Sequence, residues 1–169
     1  SDAAAVAYAL AQAVLTLGGC DLVICGARST DDGGGQVGPH MAELLGWPQI
    51  TEAQELTIDG GRATAVKRFE DGARRISVPL PAVVTVSAGS AVPRLAHAAA
   101  IMNIGDAPIT TWAAQDIGAD AARVGAHAAL TVERRAYAPE PIARGDILQG
   151  TAREATAALV ARLRKRGLL

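Results

Sequence analysis

An α/β domain is the fold class this sequence predicts, on three observations. Apolar residues recur at helical spacing near both ends, short β-prone runs lie between them, and glycine- or proline-marked loops separate the two kinds of segment. At 169 residues, half of them hydrophobic, one domain with a buried core is the simplest organisation. Only 3% of the residues are aromatic. Alanine-, valine- and leucine-rich helices packed close on a sheet suit that composition better than an aromatic-rich β-sandwich.

The elements follow in order. Asp2 is placed to cap a helix whose apolar stripe is Val6, Leu10, Val14 and Leu17, and Gly18-Gly19 stops it. "DLVICG" (Asp21 to Gly26) reads as a short buried strand. An acidic, glycine-rich loop leads to Pro39, which suits the first turn of a helix from about Gly38 to Leu45, ended by Gly46. From Gln49 to Val78 the "DGG" at Asp59 to Gly61 and the "EDG" at Glu70 to Gly72 are hairpin turns between β-prone runs. "PAVVTV" (Pro81 to Val86) is another apolar strand, and a long connection with some helical content follows. Ala138 to Asp146 reads as an extended arm. Thr151 and Glu154 then form a capping box for a helix with Ala155, Leu159 and Leu163 along one face. Arg162, Arg164, Lys165 and Arg166 complement its C-terminal dipole. About two strands are expected to be central and parallel.

Several function classes are disfavoured. A net charge of −1 gives no basic excess for nucleic acid, and the few aromatics give no stacking surface. No apolar run reaches the ~18 residues of a transmembrane helix, and the N-terminal segment lacks the basic n-region of a signal peptide. Cys20 and Cys25 are read as reduced thiols of a cytoplasmic protein. His40, His97 and His127 lack ligand spacing, so no metal is expected. Ser29, Thr30 and Ser87 have no evident histidine partner, and no catalytic residue is assigned.

The loop after the first strand holds the chemistry. In open α/β sheets ligands sit beyond the carboxyl ends of the strands, and a helix N-terminus there offers unpaired N–H groups to an anion. Gly33, Gly34 and Gly35 let the backbone approach a phosphate, Arg28 supplies a cation, and Asp31 and Asp32 either accept from ribose hydroxyls or hold the loop by Asx turns. The alternative is a plain surface loop, since neither GxGxxG nor the P-loop pattern is matched.

Beyond single motifs, the chain resembles the beta subunit of electron transfer flavoprotein. The resemblance is carried by "DLVICG", by "TDDGGGQVGPHMAELLGWPQ" (Thr30 to Gln49), by "PAVVT" (Pro81 to Thr85) and by "VPRLAHAAAIMN" (Val92 to Asn103). It implies a Rossmann-like (adenine nucleotide alpha hydrolase-like) three-layer sandwich, partial, with a β-hairpin insertion and a C-terminal arm plus helix. One domain over 1–169 is expected, with 138–169 as its arm and helix. Family members carry roughly half as much chain again at the front, so the N-terminal strands are expected to be lacking.

What the resemblance implies for function is an electron carrier rather than a turnover enzyme. It would pair with an alpha subunit holding most of an FAD, serve flavoprotein dehydrogenases and a quinone-linked or other acceptor, and bind AMP or a second FAD itself. The nucleotide loop carries over onto Gly26, Ala27, Arg28, Ser29, Thr30, Asp31, Asp32, Gly33, Gly34, Gly35, Gln36 and Val37. The partner-recognition segment carries over onto Pro93, Arg94, Ala98, Ile101 and Met102. Departures are specific. Ala27-Arg28 replaces a Lys/Arg-Gln pair, Gly35 replaces a bulkier polar residue, and "QVGP" (Gln36 to Pro39) is closer to the two-FAD type. The Glu or Gln expected near Arg74-Arg75 is missing. Ala98 stands where the family has a leucine anchor, a difference of order 1–2 kcal/mol of docking energy, and "NIGDAP" (Asn103 to Pro108) replaces a lysine-rich run. An unusual dehydrogenase partner is the expectation. The reading from another class is an adenine-nucleotide-binding structural or regulatory module without a redox role.

Overall fold

The computed structural model describes residues 2–105, 107–141 and 145–169. Asp106, within the "NIGDAP" run, and residues 142–144 of the expected arm lie outside the described residues. The chain divides into two compact units, Ser1–Val132 and Glu133–Leu169.

In the first unit, helix α1 (Ala3–Thr16) precedes strand β1 (Leu22–Gly26), helix α2 (Val37–Leu45), strands β2 (Gln49–Asp59), β3 (Arg62–Phe69), β4 (Gly72–Pro79) and β5 (Ala82–Val86), and a short helix α3 (Ala98–Asn103). The five strands form one mixed sheet in the order β1-β5-β2-β3-β4. It is an α/β fold with flanking helices. β1 and the first part of β2 both pair with β5 in parallel, so three strands are parallel rather than the two expected. The surplus comes from β2, which starts as a parallel strand beside β5 and continues as the first arm of an antiparallel hairpin. Both hairpin turns fall where the DGG and EDG signals place them.

Alternation along β5 divides the core. Thr85 faces α2, where a Cβ on Gly38 would stand 2.3 Å from Thr85 Cγ2. Val84 faces the other way, into a cluster with Ile50, Ala53, Ala63 and Ala65, against which Ile76 and Val78 pack. Two departures from the expected burial stand out. α1 turns Ala5, Ala7, Tyr8 and Ala11 inward, while Val6, Leu10 and Leu17 of the expected stripe are exposed. Small side chains let α1 lie close on α2, and that packing decides the face. β1 is an edge strand with Ile24 57% exposed, rather than a fully buried one.

Asp2 caps α1 as expected, and its other oxygen accepts the Leu130 and Thr131 N–H groups at 2.6 and 3.2 Å. Tyr8 reinforces that return of the chain. Its hydroxyl accepts from the Asp120 N–H at 3.0 Å, and the Arg123 guanidinium lies 3.8 Å from its ring centre. In the second unit, helix α4 (Ala152–Lys165) opens with the expected capping box, both halves in place between Thr151 and Glu154.

Candidate functional site

The site is built where β1 and β5 end. Ala27 N–H donates to Val86 C=O at 2.9 Å, extending the ladder by one bond before the loop leaves the sheet. The loop then holds itself. Asp31 accepts from the Asp32 N–H at 2.8 Å, and one Asp32 oxygen accepts from both the Gly34 N–H at 2.8 Å and the Ser29 hydroxyl. Asp32 thus holds the loop by an Asx turn, and Asp31 braces the N–H that follows it. The bonds hold both carboxyls below their ordinary value of 3.8, Asp31 chiefly through the Asp32 N–H and Asp32 chiefly through the Ser29 hydroxyl.

Gly35 is required by its surroundings. Its φ is +63°, and a Cβ there would lie 3.1 Å from the Ala27 carbonyl oxygen. The loop feeds into α2, whose N-cap Gln36 makes no side-chain cap bond. Val37 in the first turn borders the loop with its N–H free of a side-chain cap, while Gly38 is buried against Thr85.

All of the span Gly26 to Val37 except Thr30 and Gly33 lines a hollow of about 430 Å³. Its opposite wall comes from α1, through Asp2, Ala3, Val6 and Leu10. The side chains that look misplaced on an exposed helical stripe are thus the apolar lining of this hollow. A second hollow of about 470 Å³ lies against Gly26, Ala27 and Arg28 from the other side, closed by Glu52, Val86, Ser87 and Ala88.

Between them stands Arg28. Its Nη2 donates to Glu52 Oε1 at 2.8 Å and its Nη1 to the Gly33 carbonyl at 3.4 Å. Glu52 occupies that position through a β-bulge: β2 spends one extra residue between Ile50 and Ala53, and Glu52 adopts φ +54°. Its N–H donates to Thr85 Oγ1 at 2.9 Å, and its C=O accepts from Ser87 Oγ at 3.1 Å. Lys67 braces it, with Nζ 2.6 Å from Thr51 Oγ1 and 3.8 Å from Glu52 Oε2.

Glu52 carries no local sequence motif, Thr85 enters only as the end of "PAVVT", and neither these nor Val6 and Leu10 are among the sequence-predicted site residues. The signal for Val6 and Leu10 is present in the sequence only as part of an apolar helical stripe. Pro93, Arg94, Ala98, Ile101 and Met102 lie apart from the loop, on an exposed segment that includes α3, with Met102 82% exposed. His40 is half-buried on α2, with Nδ1 buried and unpartnered. Cys20 and Cys25 are free thiols, and burial pushes the Cys25 thiol up. Among the described residues no cluster could hold a metal, and no helix is long and apolar enough to cross a membrane.

Fold and geometry together define the class: an α/β domain with a ligand-sized hollow at the carboxyl edge of its parallel strands, before an open helix N-terminus. Comparison with known proteins supplies the family. Residues 1–117 match the electron transfer flavoprotein domain, and the chain belongs to that family. It is 36% identical to electron transfer flavoprotein subunit beta of Mycobacterium tuberculosis, over 83% of this chain and 53% of that one. It is 29% identical to the beta subunit of Clostridium acetobutylicum, over 98% of this chain and 63% of the relative. The caffeyl-CoA reductase-Etf complex subunit CarD of Acetobacterium woodii is 29% identical, over 100% of this chain and 65% of its own length. The chain therefore spans between half and two-thirds of these relatives.

Proposed function

We propose that this chain is an electron-carrier subunit of beta type that binds an adenine nucleotide in the hollow between α1 and the Gly26–Val37 loop. The observation that carries the reading is the coincidence of that hollow with the loop of an electron transfer flavoprotein domain. Its volume of about 430 Å³ lies within the ~300–1,000 Å³ of small-ligand sites. The residues suit the ligand. The Val37 N–H at the helix start and the Arg28 guanidinium would face phosphate, and Val6 and Leu10 would cover the flat base. Gly35 admits the backbone turn that a side chain would block.

AMP is the ligand this reading names first, with FAD as the other occupant. The flavin of the family, when bound, accepts and hands on electrons. It would be held mainly by an alpha-type partner, and the residues here bind and orient rather than transform. Pro93, Arg94, Ala98, Ile101 and Met102 would face a flavoprotein dehydrogenase. Their exposure supports that role.

The test is co-expression with an alpha-type subunit, followed by acid release and chromatography of bound nucleotides. One FAD and one AMP per heterodimer supports the carrier, and two FAD supports the carrier with a flavin at this site. Adenine nucleotide without flavin or partner would leave only a binding module.

A further inference from the structure

Residues 120–131 return to α1 without a core of their own. None of them is buried, and their regular structure is limited to two short 3-10 helices, Ala121–Arg123 and Ala126–Ala128. Two side chains hold them. The Tyr8 hydroxyl accepts the Asp120 N–H at 3.0 Å under the Arg123 guanidinium, and one Asp2 oxygen accepts the Leu130 and Thr131 N–H groups at 2.6 and 3.2 Å. Asp2 also lines the hollow beside the Gly26–Val37 loop, whereas Tyr8 does not. We infer that this return segment is a strap whose attachment to α1 is coupled, through Asp2, to the binding of an anionic ligand in that hollow. The inference rests on the reading of the hollow as an adenine-nucleotide site and concerns its regulation.

The coupling is electrostatic. Asp2 turns one oxygen to the Ala5 N–H at 3.1 Å, which caps α1, and the other to the strap. With the strap attached, three N–H donors offset the charge of the carboxylate. With the strap detached, the second oxygen loses both of its donors and presents an uncompensated charge to the hollow. A phosphate held in the same hollow is repelled by that charge. The ligand therefore binds better with the strap attached, and reciprocity requires that the ligand tighten the strap by the same factor.

The strap also reaches the loop itself. Leu130 and Thr131 border a hollow of about 340 Å³ together with Asp2, Asp32, Gln36 and His40. A segment that buries no residue opens at low cost, so a modest bias shows in its attachment. Its latch is at the surface and screened, which sets the coupling at a factor of about two to five.

The experiment uses the full chain, with any subunit that co-purifies with it, and AMP as the probe. It reads amide exchange at Leu130 and Thr131 and the dissociation constant of AMP. AMP is expected to slow exchange at both amides by about two- to fivefold. Tyr8→Phe removes the Asp120 tether without touching the hollow, and it should weaken AMP binding by up to about fivefold. Arg123→Ala loosens the strap from its own side and should act likewise, so it serves if the phenylalanine variant does not fold. Asp2→Asn keeps an oxygen for the α1 cap but carries no charge. In that background AMP should bind at least as tightly as to the wild type, and Tyr8→Phe should no longer weaken it. A Tyr8→Phe penalty that persists beside Asp2→Asn would make Tyr8 purely structural and overturn the coupling. AMP binding that leaves exchange at Leu130 and Thr131 unchanged overturns it too, with the nucleotide site intact. No AMP binding at all overturns the site reading, and the coupling with it.

Discussion

Gly38 is the residue on which the junction of helix and sheet turns. A side chain there would meet Thr85 Cγ2 at 2.3 Å, and Thr85 is 3% exposed and bonded through its hydroxyl to the Glu52 N–H, so neither neighbour can yield easily. Alanine in place of glycine gains at most ~1 kcal/mol of helix propensity, whereas overpacking costs ~1–3 kcal/mol. Gly38→Ala should therefore destabilise the protein by about 1–2 kcal/mol in denaturant titration. Adding Thr85→Ser, which removes the offending methyl and keeps the hydroxyl, should recover most of that loss. Additive single effects would show that the contact is not the cause. The loop aspartates make a second prediction. Asp31 and Asp32 have folded-state pKa values below 3.8, so their stabilising bonds are fully present above that pH and are lost as pH falls through the lower folded values. Melting temperature should drop on the acid side of about pH 4, more steeply for the wild type than for Asp32→Asn. Equal slopes would remove these carboxylates from the account.

At the scale of elements, α1 shows how a correct helix can carry a wrongly assigned face. Two stripes run along it, one of Val6, Leu10 and Leu17 and one of Ala5, Ala7, Tyr8 and Ala11, and hydrophobicity alone favours the first. Close packing on α2 selects the second, because small residues bring helix axes together. Ala11→Leu should cost ~1–3 kcal/mol by overpacking, while Leu10→Ser should cost under ~0.5 kcal/mol and weaken nucleotide binding through the wall it provides. The reverse order in thermal melts would restore the first stripe to the core. The same contrast explains what the sequence made legible. The Gly26–Val37 loop was readable because strand end, glycines, Asx turns and helix start are all local. Glu52 was not, because a bulge is a property of how β2 registers against β5, and no window of sequence around residue 52 contains β5. Both register shifts in β2 place a glutamate at positive φ, Glu52 at +54° and Glu55 at +51°, and of the two Glu52 is the one bonded to Arg28 of the loop.

For the whole molecule, the distribution of burial is uneven. Val83, Val84, Ile50 and Met41 are shielded almost completely. Beyond β5, Val92, Leu95, Ile109, Leu130 and Ile147 are each more than 80% exposed, and no described residue from Glu133 onward is buried. α4 has 14 residues, a length at which an isolated helix is marginal in water even with a good cap. Its capping box is worth only ~1 kcal/mol, too little by itself to hold a helix with no fully buried residue. On the proposed beta-type reading, an alpha-type subunit is the surface expected to stabilise α4. Amide exchange tests this directly. Backbone N–H groups of Ala152–Lys165 should exchange almost as fast as a frayed terminus in the chain alone, while those of β5 stay protected. On assembly with the alpha-type subunit, protection across α4 should rise by at least an order of magnitude and the β5 values should change little. Strong protection of α4 in the chain alone would mean that the helix is already packed. No gain on assembly would mean that the partner binds elsewhere.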